Sequence, residues 1–128
     1  MAAGTLTVTS ARRGGLTRYS LAWTSDASGD VNGNPFDMQT GELRQVQFTP
    51  DSGLTQPSAA YDVVLNDPNS VDILAGAGAN LSSTTTSVAV PVVSTYFRRT
   101  LEAGAYTPVV TNAGNAKTGT IVLLVQPL

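Results

Sequence analysis

"AAYDVVLNDPNSVDILAGAGAN", residues 59–80, carries both of the signals on which a reading of this chain turns. Tyr61, Val63 and Leu65 alternate along "YDVVL", which places them on one face of an extended strand. Asp67-Pro68-Asn69 then supplies a fixed φ and Asx hydrogen bonding, the chemistry of a tight turn. A second short strand is expected over "SVDIL", followed by a glycine-rich stretch from Gly76 to Asn80. That stretch is either a phosphate cradle or the end of a hairpin running into a loop. A dinucleotide fingerprint needs G-x-G-x-x-G between a strand and a helix, so that pyrophosphate meets the helix N-terminus. Gly76 and Gly78 fit, but Leu81 stands at the third glycine position and serines and threonines follow. A Walker loop needs a lysine, and the only one in the chain is Lys117. The hairpin end is the better reading, and it turns attention from ligands to protein surfaces.

The same two-residue period recurs along the chain. Leu6 and Val8 share a face in "TLTVT", as do Tyr19, Leu21 and Trp23 in "RYSLAW" and Val46 and Phe48 in "RQVQF". "VAVPVV" groups Val88, Val90 and Val92, with Pro91 marking an edge because it cannot donate to a ladder. "YTPVVT" and "TIVLLV" complete the set. Turn signals fall between the runs at Gly14-Gly15, Ser28-Gly29, Asn32-Gly33, Ser52-Gly53 and Asn112–Asn115. "SSTTTS" at 82–87 reads as a mobile polar loop. No segment holds a long helical period; "FRRTLEAGA" offers one or two turns at most. Short strands with frequent turns predict an all-β chain: an antiparallel β-sandwich, jelly roll or small barrel. A single sandwich or jelly-roll-like domain over residues 1–128 is the expectation, in keeping with the length.

Composition narrows the chemistry. The chain has no cysteine and no histidine, which removes disulfides, thiolate sites and the usual general base near neutral pH. Charged residues make up 12% of the chain, about half the usual ~25%. The net charge of −2 gives no reason to expect nucleic acid as a partner. No apolar run approaches the ~20 residues that span a bilayer. "MAAGTLTVTS" lacks the features of a signal peptide, so a soluble protein made in the cytoplasm is expected.

Candidate sites are few. "DASGDVNGNPFD", residues 26–37, spaces Asp26, Ser28, Asp30, Asn32, Asn34 and Asp37 like a calcium loop. Val31 stands where an EF-hand needs glycine, the closing residue is aspartate, and no helices flank it. A plain surface loop is the expectation, and no metal or cofactor is assigned. Glu42 and Glu102 could form a carboxylate pair, but no aromatic cluster accompanies them, and a serine triad is impossible without histidine. An enzyme is not expected. Trp23 belongs to the core by its alternation with Leu21. The doublets Arg12-Arg13 and Arg98-Arg99 are either solvated turns or guanidinium pairs that dock on an acidic protein surface. "TIVLLV" is apolar on both faces. Val122 and Leu124 therefore lie opposite the core face and are candidates for a contact between copies. A mean hydropathy of +0.04 points the same way. A homo-oligomer, a trimer in first place, is expected, with the C-terminal strand or the Arg98-Arg99 turn near a contact.

The motifs "GTLTVTS", "YSLAWTSDASGDV", "YDVVLNDPNSVDILAGAGANLS" and "TNAGNAKTGTIVLLV" are distributed along the chain from Gly4 to Val125. In them the chain resembles small virion-associated proteins of tailed bacteriophages. The resemblance implies a β-rich structural protein of the virion, foremost a capsid decoration (cement) protein on the capsid surface. Its partner would be the major capsid protein of the same phage, with no nucleic acid and no membrane involved. A tail, neck or surface recognition module that binds host glycan or protein through its loops is the alternative.

Overall fold

The computed structural model describes residues 4–90 and 99–127. The chain is an all-β sandwich of two antiparallel sheets. The strands are β1 (Thr5–Arg13), β2 (Leu16–Thr24), β3 (Phe36–Met38), β4 (Gly41–Pro50), β5 (Asp62–Asn66), β6 (Ser87–Ala89), β7 (Arg99–Leu101), β8 (Gly104–Thr111) and β9 (Thr118–Pro127). The large sheet runs β1-β2-β9-β4, with β6 and β7 both paired to the far side of β4. The small sheet runs β3-β8-β5. Among the described residues the only helical turn is a 3-10 turn at Gly53–Thr55. The helical turn considered for "FRRTLEAGA" does not form in its described part, where Arg99–Leu101 and Gly104 onward are strand.

Alternation in the sequence becomes alternation in burial. Along β2, Tyr19, Leu21 and Trp23 are buried, while Arg18 and Ala22 are exposed. Val46 and Phe48 of β4, Val63 and Leu65 of β5, and Ile121, Leu123 and Val125 of β9 join them between the sheets. Ring contacts tie the layers together. Tyr19 meets Phe36 of β3 at 6.0 Å between centroids, and Trp23 meets Tyr61, just before β5, at 5.7 Å. Tilted pairs at such spacings add roughly 0.5–1.5 kcal/mol beyond the area they bury. At the first turn, Arg13 pairs with Leu16 across Gly14-Gly15, and Gly14 takes a φ of +64° that a Cβ would penalise.

Val88 and Val90 share one face, as their alternation predicts, and it is the solvent face of an edge strand. Val88 is 59% exposed and Val90 45% exposed, so these valines do not enter the core. The register Phe48↔Ser87 and Val46↔Ala89 turns Ser87 and Ala89 inward instead. Pro91 and Val92 lie outside the described residues. In addition, "SVDIL" is not a second strand. Asp72 captures the backbone N–H groups of Leu65, Leu74 and Gly76 with its carboxylate, which curls the chain into successive turns. "SSTTTS" is held at its start by Ser82 Oγ, which accepts from the N–H of Thr84 and Thr85.

Burial pushes the Tyr61 phenol up from 10.0 to about 12. The folded chain therefore keeps the phenol protonated over a range where the unfolded chain has lost its proton. Stability from this source is complete below pH 10 and declines as pH rises from about 10 towards 12. Thermal melts across that window should show a declining midpoint, with a shallower decline in Tyr61→Phe. Equal slopes in the two proteins would show that Tyr61 does not carry the effect.

Candidate functional site

The glycine-rich stretch has a structural job. Residues 72–81 fold back along the open edge of β5 and occupy its hydrogen-bonding groups. Ile73 N–H donates to Leu65 O at 2.8 Å, Val63 N–H to Gly78 O at 2.7 Å, and Leu81 N–H to Tyr61 O at 2.8 Å. A Cβ on Gly78 would lie 2.1 Å from Val63 O, so only glycine allows this approach. A phosphate cradle needs free N–H groups in a positive field. Here Asn80 N–H is taken by Asp62 and Gly76 N–H by Asp72, and both acceptors are carboxylates. The stretch is an edge cover, neither a cradle nor the end of a hairpin.

The 26–37 segment is likewise committed to backbone. Asp26 Oδ1 accepts from Ser28 and Asp30 N–H, each at 2.9 Å. Asn32 Oδ1 accepts from Gly33 N–H. Val31 is fully buried and exchanges two backbone bonds with Val110 of β8. Asp37 lies on β3, opposite Ala105, and points to solvent. The alternating acids thus follow from turns around one inward-facing valine. Among the described residues no group of three His, Cys, Asp or Glu side chains is placed to hold a metal. Glu102 accepts from Asn69 Nδ2 at 3.1 Å.

The candidate contact residues fall on or beside the large sheet. Val122 and Leu124 lie on its outer face, away from the small sheet, in mid-sheet between β2 and β4. Val122 is buried between Ser20 and Gln47, its cross-strand neighbours, and Leu124 is half-buried between Arg18 and Gln45. The neighbours of β9 thus cover much of its second apolar face within the protomer. Arg12 and Arg13 are the last, exposed residues of β1. Arg99 pairs with Leu43 in β7 and is part of a strand, not a turn; Arg98 lies outside the described residues.

Register brings to the same end two arginines that the sequence reading passed over. Arg18 stands between Ala11 and Leu124. Arg44 is the extra residue of a bulge between Leu43 and Gln45, and its guanidinium donates to Gln126 Oε1. A shallow depression of about 380 Å³ opens there, lined by Thr9, Ser10, Ala11, Arg13, Arg18 and Ser20. Of the nine acids, Glu42 alone lies on a strand of the large sheet, at the start of β4 beside this end; the others lie on loops or on the small sheet. Arginine is thus concentrated at one end of the large sheet, where the outer face also carries Glu42, Leu16 and Leu124; the rest of that face is Thr, Ser, Ala, Gln and Val.

A second shallow cleft, of about 440 Å³, lies against the small sheet; Asn32, Asn66, Asp67, Ser70 and Thr107 contribute polar groups and no aromatic ring lines it. No helix among the described residues is long and apolar enough to cross a membrane. In comparisons with protein-family models, curated proteins and solved structures, nothing matches this chain.

Proposed function

We propose that this protein is a structural subunit of a phage virion, a decoration protein that docks on the major capsid protein and stabilises the lattice as a homo-oligomer. The observation that carries this reading is the outer face of the large sheet. It is broad, rich in hydroxyl and amide groups, and has arginines at one end, whereas the polar motifs of the loops are bound up in their own backbone. A flat face of this kind suits an extended protein contact. Arg12, Arg13, Arg18 and Arg44 outnumber Glu42 at that end, and an excess of guanidinium groups suits an acidic capsid surface. The motif resemblance supports the same role, and no reaction is assigned to the protein. Val122 is covered within the protomer, whereas Leu124 on the same face keeps part of its surface for a contact.

Co-sedimentation with mature capsids tests the proposal. Saturation at a fixed stoichiometry is expected, as is at least a tenfold weaker affinity for Arg13→Glu/Arg18→Glu, with the far-UV spectrum unchanged. Failure of the wild-type protein to sediment with capsids would sink the decoration role. The alternative, a recognition module of the tail, neck or particle surface, is favoured by the polar cleft at Asn66 and Asp67. Its lack of an aromatic platform counts against glycan binding.

A further inference from the structure

We infer that β1 is a self-association edge, and that a second copy of this chain adds to it antiparallel about a two-fold axis through Thr9. The argument begins with how the other edges are closed. Residues 72–81 bond along β5; β3, β6 and β7 are three residues each. β1 is different. It is nine residues long, pairs only with β2, and carries no charge, proline or bulge from Thr5 to Ala11. Among the described residues nothing bonds to its outer side. Long, uncharged edges are templates for another strand, and proteins that leave them bare risk uncontrolled pairing.

Charge selects the occupant and the direction. A parallel, in-register copy would stack Arg12 and Arg13 on their own equivalents, which is unfavourable. An antiparallel copy centred on Thr9 sets Arg12 opposite the second copy's Leu6, and Arg13 opposite its Thr5. Asp30 stands at that end of the strand: its carbonyl oxygen would lie 2.6 Å from a Cβ on Gly4. Neither Arg12, Arg13 nor Asp30 makes an ion pair within the chain among the described residues. Arg12 and Leu6 share the inner side of β1 by their two-residue period, which is also the side on which Asp30 approaches Gly4. Arg12 of each copy therefore arrives at the end of the strand where Asp30 of the other stands, and neither side chain has an ion-pair partner among the described residues of its own protomer. The half-buried Leu6 gains cover from the arginine's aliphatic stem. Such a contact is isologous and closes at two copies. It also joins the two large sheets with their outer faces on the same side, doubling the docking face proposed above. The inference specifies the self-association in that proposal but does not depend on a phage role.

Sedimentation equilibrium is the test. Wild-type protein should behave as a species of twice the 13.2 kDa protomer mass. Thr9 is exposed, so Thr9→Lys and Thr9→Glu should keep the β spectrum. Each alone should be monomeric, because like charges then meet on the axis. An equimolar mixture of the two should restore a one-to-one dimer. Arg12→Glu should weaken the wild-type dimer at least tenfold, and Arg12→Glu/Asp30→Arg should recover it. A wild-type monomer at the highest soluble concentration, a trimer, or a dimer that persists in Thr9→Lys would each overturn the inference. A monomer that still coats capsids would do so while leaving the decoration role standing; a dimer that ignores capsids would do the reverse.

Discussion

Gly78→Ala is expected to destabilise the fold by about 3 kcal/mol, combining overpacking with the loss of a backbone hydrogen bond. The added Cβ would sit 2.1 Å from Val63 O and 3.0 Å from its carbonyl carbon, and both obstacles are backbone. No rotamer change relieves them, so residues 72–81 must move off β5. That movement breaks the 2.7 Å bond from Val63 N–H to Gly78 O and strains its neighbours at Leu65 and Tyr61. A melting midpoint lower by on the order of 10 °C follows for a domain of this size. A second consequence is an uncovered β5 edge, so the variant should also aggregate earlier on heating than its lost stability alone requires. Gly76→Ala supplies the comparison within the same stretch. Gly76 has a φ of +84° but nothing within 4 Å of a built Cβ. It should cost only about 1 kcal/mol, the penalty of a left-handed alanine. Equal losses at the two positions would show that the close approach at Gly78 is not what holds the cover in place.

The contrast between these glycines marks where sequence reading stops. Period-two alternation is a local property, and it correctly placed Tyr19, Leu21 and Trp23, then Val46 and Phe48, then Tyr61, Val63 and Leu65 on the core side. It had less purchase on Val88. A strand as short as Ser87–Ala89 has its faces set by register with β4, and the alternating valines were free to fall outward. The order β1-β2-β9-β4 brings the last strand between the second and the fourth, a pairing that depends on contacts across most of the chain. The glycine-rich stretch misled for a related reason. Gly76 and Gly78 look alike in sequence, and only the backbone approaching Gly78 separates them.

The surface was legible in the same uneven way. Arg12-Arg13 stands out as a doublet, but Arg18 and Arg44 are single residues among polar neighbours. They join the arginine end only through the pairing of β2 with β1 and β9, and through the bulge in β4. Asp26 and Asp30 suggested a ligand loop by spacing. Their neighbour Val31 turned out to govern the segment, because its burial fixes which way the intervening polar residues face. What remains for function is therefore collective: edges and faces, whose composition is readable in sequence but whose assembly is not.

Gly119→Ala should be comparably damaging, at about 3 kcal/mol, through the only tryptophan of the chain. A Cβ at Gly119 would lie 2.5 Å from Trp23 Cζ2 and 2.8 Å from Cε2. The indole packs against this bare backbone because β9 pairs Gly119 directly with Trp23 of β2. It is 2% exposed and also packs on Tyr61 at 5.7 Å, so it has no room to retreat without opening the space between the sheets. Fluorescence from this single indole should shift to the red, and its near-ultraviolet circular dichroism should weaken, while the far-ultraviolet β signal persists. The cause can be separated from a general effect on β9 by a double-variant cycle. Trp23→Phe is destabilising by itself, but its smaller ring leaves space above Gly119. Adding Gly119→Ala in that background should cost about 1 kcal/mol or less, a coupling of roughly 2 kcal/mol between two residues in direct contact. If alanine at 119 were equally harmful with either ring at 23, the backbone of β9 and not the indole would be the sensitive element.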